Sequence, residues 1–214
     1  MKRWISTIGM VGLVVGVAHA DFSFNDVEYW IGSGSNEAAF VVDWNDGIEA
    51  QSLAWGYRWD GTATGEDMLI EIVTTDPELY AKISTPGGYG VALYGLGYDV
   101  DHDGFSLSDG TVFTDGLAVS EPSDGTSAVD PNDHYAEGWY SAGYWSYWLS
   151  DDGVEWSFSG TGMSGRALTD GVWDGWSWAP SFDSTAPSEP VAAVPEPMTA
   201  MLFGLGMLLA ARRR

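Results

Sequence analysis

Asp99, Asp101 and Asp103 alternate along the run Asp99-Val100-Asp101-His102-Asp103-Gly104, which ends on a glycine. A hard cation such as Ca²⁺ is held by several oxygens converging from one turning segment, and this spacing supplies three. The pattern is partial. The twelfth position of an EF-hand loop carries a bidentate acid, and here that position is Gly110. Asp109 and Asp115 are the nearby acids that could add ligands. Without an ion, the segment reads as an acidic, well-hydrated turn.

A second group is aromatic: Trp139, Tyr140, Tyr144, Trp145, Tyr147 and Trp148. Flat rings suit the apolar faces of sugars and planar macrocycles, so Tyr144, Trp145, Tyr147 and Trp148 are candidate ligand-binding residues. The competing reading is a Trp-rich core hairpin. Period-2 alternation places Tyr144, Ser146 and Trp148 on one face and Trp145 and Tyr147 on the other. Arg58 and Arg166 are rare bases in an acidic body. Each is expected to pair with acids or stack on a Trp, or else to hold an anionic ligand group. Catalytic patterns are missing. There is no cysteine, only His102 and His134 in the body, and neither a metalloprotease helix nor a phosphate loop. The expectation is a protein without enzymatic activity.

The elements that position these residues follow from periodicity. Residues 38–44 read as a strand, Asn45-Asp46-Gly47 as its turn and 51–60 as its partner, with Leu53, Trp55, Tyr57 and Trp59 on one face. Thr64-Gly65-Glu66-Asp67 is a capping-box start, and Met68, Leu69, Ile72 and Val73 follow as one helical face. Asp76-Pro77 ends that helix. Residues 89–98 read as a strand or two, and 99–132 as a long acidic loop with a weak strand over 111–119. Residues 143–149 and 154–159 read as a hairpin, and 172–178 as a last strand. The fold class is α+β: one β-rich domain over 21–180, a mixed or antiparallel sheet packed on one helix in a β-grasp-like way. An all-β sandwich is the alternative.

The charge is concentrated in the body. Five of the eight Lys and Arg residues lie in the two ends, leaving Arg58, Lys82 and Arg166 against thirty acids, or −27. Such a surface repels nucleic acid and anionic lipid and attracts cations. With 45% hydrophobic residues and 12 Trp the chain can still bury a core, which disordered acidic chains cannot.

Residues 1–20 have a basic start, an apolar middle and Ala18-His19-Ala20, the three parts of a secretory signal peptide cleaved before Asp21. At the other end, a Pro/Ser linker over 181–194 leads to Pro195-Glu196-Pro197, an apolar run from Met198 to Ala211, and Arg212-Arg213-Arg214. The terminal arginines would stay cytoplasmic. The prolines keep the preceding peptide extended and accessible. The run is short for a permanent span, which suits a transient signal.

Residues 195–214 resemble a PEP-CTERM sorting signal, with its Pro-Glu-Pro triplet, short transmembrane helix and basic end. The resemblance implies processing by signal peptidase and then by an exosortase, in a Gram-negative-type bacterium that makes exopolysaccharide and biofilm. Sec export, a transient stay in the inner membrane, and a final place at the cell surface or in the extracellular matrix follow from it. The body resembles the β-grasp domain at the C-terminus of transcobalamin and intrinsic factor. That resemblance rests on Gly65-Glu66-Asp67-Met68-Leu69, Tyr144-Trp145-Ser146-Tyr147-Trp148, Asp152-Gly153, Trp156-Ser157 and Asp170-Gly171. It implies a surface module or a cover for a corrinoid-like ring. A long acidic insertion before the Trp/Tyr hairpin departs from that pattern, so no binding residue is carried over.

Overall fold

Alternation along Leu53, Trp55, Tyr57 and Trp59 puts these four side chains on one face of the first hairpin, and all four are buried. A computed structural model describes residues 21–88 and 90–195. The predicted signal peptide and the tail from Glu196 onward lie outside these residues. Among the described residues, no helix is long and apolar enough to cross a membrane.

The main sheet is built on a hairpin of β2 (Asn36–Asp43) and β3 (Ser52–Trp59). Helix α1 (Gly65–Thr75) follows, and Met68, Leu69, Ile72 and Val73 bury its inner stripe in the same core. Each such side chain contributes about 1.5–3 kcal/mol when removed from water. The capping box forms: Thr64 Oγ1 accepts from Asp67 N at 3.2 Å, and Asp67 Oδ2 accepts from Thr64 N at 2.8 Å. Thr64→Ala is therefore expected to cost about 1 kcal/mol, read as a melting point lower by roughly 2–4 °C. An unchanged melt would mean that Asp67 alone fixes the helix start.

Strand β10 (Val172–Pro180) lies beside β2 in parallel, and antiparallel to β8 (Gly143–Ser150). Strand β9 (Ser157–Phe158) closes that edge. Reading across the sheet gives β1-β3-β2-β10-β8-β9, with β1 at Trp30–Gly32. A hairpin, a covering helix and a late strand returning beside the first is the β-grasp order, so the fold is α+β. The free edge of β3 is shared. Trp30–Gly32 pairs with Gly56–Arg58, and β11 (Val191–Ala192) pairs with Leu53–Ala54, both in parallel. Together they cover an edge that would otherwise template pairing with another chain. Part of the predicted linker over 181–194 is thus docked on the sheet, with Ala193 buried.

The long insertion is more ordered than its sequence implies. It forms a second sheet in the order β6-β4-β5-β7, from β4 (Leu79–Ile83), β5 (Leu93–Tyr98), β6 (Leu117–Val119) and β7 (His134–Glu137). Strands β4 and β7 were not expected. The weak strand over 111–119 shrinks to three residues, and the partner strand over 154–159 shrinks to two. The segment expected as a loop over 99–132 is cross-tied instead: Ser108 N donates to Ser127 O, and Val129 N to Ser106 O, both at 2.9 Å. Asp124 caps the next turn, accepting from the backbone N–H groups of Trp139, Tyr140 and Ser141.

Candidate metal centre and aromatic cleft

Strand β5 ends at Tyr98, and the chain then turns sharply. His102 has φ 60° and Gly104 φ 116°, a conformation that a side chain at position 104 would strain. The turn folds back on its own first acid, because Gly104 N donates to Asp99 Oδ2 at 2.8 Å. Phe105 then anchors the segment by stacking on Tyr80 of β4, with ring centroids 4.3 Å apart. It lies over Gly97, where an added Cβ would meet the Phe105 ring at 2.3 Å.

This turn brings carboxylate oxygens of Asp99, Asp101 and Asp103 within 4.8 Å of one another. Asp101 and Asp103 are exposed, whereas Asp99 is buried, and its Oδ1 has no hydrogen-bond partner. A buried carboxylate oxygen left unpaired is costly. A cation in the cluster would satisfy it. Asp109 and Asp115 do not join the group. Asp109 accepts from Lys82 and Thr126 instead, and Asp115 sits with φ 49° in the turn between Thr114 and Leu117.

The acid that sequence reasoning missed is Asp133. It is buried, its Oδ1 accepts from Val100 N at 3.2 Å, and its Oδ2 has no partner. Burial first, then repulsion by Asp99, Asp130 and Asp101, pushes its pKa up to about 6, against a hydrogen bond from Val100 that works the other way. Asp103 is also raised, chiefly by Asp101. The loop therefore concentrates negative charge, and the one imidazole within it, His102, has its Nδ1 3.3 Å from Glu78 Oε1.

A folded-state pKa raised above its ordinary value has a definite sign. The folded protein holds the proton more tightly than the unfolded chain does. The stabilisation is present at low pH and is lost as pH rises through about 6. In EDTA the melting temperature is expected to fall between pH 5 and pH 7, and Ca²⁺ should remove that fall. A flat profile in EDTA would deny the electrostatic crowding.

The aromatic group divides as alternation requires. Trp145 and Tyr147 point into the core: Trp145 Nε1 donates to Ala136 O at 3.0 Å, Tyr147 OH donates to Asp174, and Tyr147 stacks on Trp176 at 4.4 Å. Tyr144 stacks on Phe182 and Trp148 meets Phe158 edge-on, both partly exposed. The four candidates therefore do not share one face. What does exist is a cleft of about 380 Å³ lined in part by Trp139, Tyr144, Trp145, Tyr147, Phe158 and Trp176. Trp148 is not among its walls.

The two arginines are engaged. Arg58 pairs with Glu37 at 2.9 Å and lies 4.1 Å over the Trp30 ring. Arg166 Nε donates to Asp174 Oδ1 at 3.2 Å. Neither faces an anion site in this arrangement.

Compared with protein-family models, curated proteins and solved structures, the chain gives no significant match.

Proposed function

We propose that the chain is an exported, exosortase-sorted protein of the cell surface or extracellular matrix, without enzymatic activity, whose β-grasp domain is completed by one Ca²⁺. The observation that carries the calcium role is the buried, unpartnered Asp99 Oδ1 beside Asp101 and Asp103. Extracellular fluid is rich in Ca²⁺, and weak sites suffice there. An exported domain with no cysteine cannot use disulfides, so an ion is a natural way to fix a long loop. The sorting role is supported by the signal-peptide pattern and by the Pro195-Glu196-Pro197 tail.

Isothermal titration of the metal-free full chain with Ca²⁺ tests the first part. One bound ion is expected in the wild type and none in Asp99→Asn. Equal binding by both would remove the site. Replacing Pro195, Glu196 and Pro197 together by alanine tests the second. An unprocessed form should accumulate in the inner membrane, and normal processing would refute the sorting role.

A second reading is favoured by the aromatic cleft, whose volume lies near the lower end of ligand sites. That size suits a sugar unit of an exopolysaccharide better than a corrinoid-like ring. Quenching of Trp fluorescence by oligosaccharides, lost in Tyr144→Ala, would support it.

A further inference from the structure

Lys82 has almost no exposed side-chain surface, and two carboxylates meet its amine. Its Nζ lies 2.9 Å from Glu137 Oε2 and 3.1 Å from Asp109 Oδ2. Glu137 is fully buried at the far side of β5 from Lys82, and the hydroxyls of Ser123 and Tyr135 both donate to it. Asp109 is the more open partner. Its Oδ1 accepts from Thr111 N at 2.8 Å, and its Oδ2 also accepts from Thr126 Oγ1 at 3.1 Å. The cluster thus holds an amine nucleophile, a carboxyl carbon whose oxygen is polarised by a backbone N–H, and a buried carboxylate touching the same amine. We propose that Lys82 and Asp109 condense to an isopeptide bond, with Glu137 moving the proton.

The step balances without any co-reactant. Burial opposes ionisation of Asp109, but hydrogen bonds from Thr111 and Lys82 hold its pKa well below the usual range, so this carboxyl starts as a carboxylate facing the amine. One proton passes from Nζ to Oδ2 along their hydrogen bond, leaving a neutral amine and a carboxylic acid. The nitrogen lone pair attacks Cγ, and the negative charge on Oδ1 is met by the Thr111 N–H. Glu137 Oε2 takes the surplus proton from nitrogen and returns it to the Oδ2 hydroxyl. The Cγ–Oδ2 bond breaks, the N–Cγ bond remains, and one water leaves. The product removes a positive and a negative charge from a poorly solvated site, where such pairs are costly to keep. Glu137 keeps both hydroxyl donors and gains the new amide N–H. The bond would join β4 to the acidic segment across 27 positions, a covalent closure in a chain that has no disulfide.

Peptide mapping by mass spectrometry of the full chain, as purified from its exporting cell, tests this directly. Expected is a branched species joining the Lys82 and Asp109 peptides, one water lighter than their sum. Asp109→Asn should give the same branch with loss of ammonia instead of water. Glu137→Gln should yield the two peptides unjoined. Separate Lys82 and Asp109 peptides in the wild type would overturn the bond. A Glu137→Gln protein cross-linked as fully as the wild type would overturn the role of Glu137.

Discussion

Ca²⁺ at about 10 mM, roughly a hundredfold above the dissociation constant of a weak extracellular site, is expected to raise the melting temperature of the full chain by roughly 5–10 °C over its value in EDTA. At a hundredfold excess over the dissociation constant, a ligand that binds only the folded state contributes about 2.7 kcal/mol, and each kcal/mol moves a domain of this size by roughly 2–4 °C. Variants separate the contributions. Asp99→Asn removes the buried oxygen that most needs an ion, so the shift should vanish. Asp133→Asn relieves repulsion within the metal-free loop. It should therefore raise the melt in EDTA while shrinking the gain from Ca²⁺. Asp115→Asn lies outside the cluster and should behave as the wild type does. Mg²⁺ should give a smaller shift, because it demands near-octahedral geometry and dehydrates reluctantly. A full shift in Asp99→Asn, or none in the wild type, would return the acids to a role in solubility alone.

The β2–β3 hairpin and α1 are legible in the sequence because their patterns are local. Leu53, Trp55, Tyr57 and Trp59 alternate without interruption, and Thr64 and Asp67 are three positions apart. The second sheet is legible only in part: β5 and β6 lie within the strands read over 89–98 and 111–119, while the other two are hidden for a physical reason. Its strands β4 and β7 read Leu-Tyr-Ala-Lys-Ile and His-Tyr-Ala-Glu, and a buried Lys82 and a buried Glu137 look like surface residues to any hydropathy pattern. They are buried because they meet each other. No single window of sequence contains both.

The candidate metal centre divides in the same way. Asp99, Asp101 and Asp103 are found by spacing, since one turn of chain brings them together. Asp133 is found only through β7, which pairs with β5 and carries that acid back to the start of the loop. The aromatic residues were legible as two faces but not as walls of a cleft. That cleft also needs Val91 and Met163, which come from other elements.

Trp44 is the residue whose loss should cost most. It follows β2 immediately and is fully buried. Its ring lies parallel to His134 at 4.6 Å and meets Trp145 edge-on at 6.4 Å, and its Nε1 donates to Leu96 O at 3.0 Å. One side chain thus touches the main sheet through Trp145 and the second sheet through β5 and β7. Trp44→Ala removes a core aromatic, at about 3–5 kcal/mol, and with it the hydrogen bond from Trp44 Nε1 to Leu96 O. Trp44→Phe keeps most of the ring and should lose only a part of this. Urea unfolding followed by both tryptophan fluorescence and far-UV dichroism checks the size and the manner of the loss. The wild type should give coincident transitions, because the two sheets share one core. In Trp44→Ala the curves should separate, with the second sheet opening first and taking the calcium response with it. A loss under about 1 kcal/mol, with the two curves still coincident, would show that the sheets are joined elsewhere, since no core tryptophan with these contacts should be so cheap to remove.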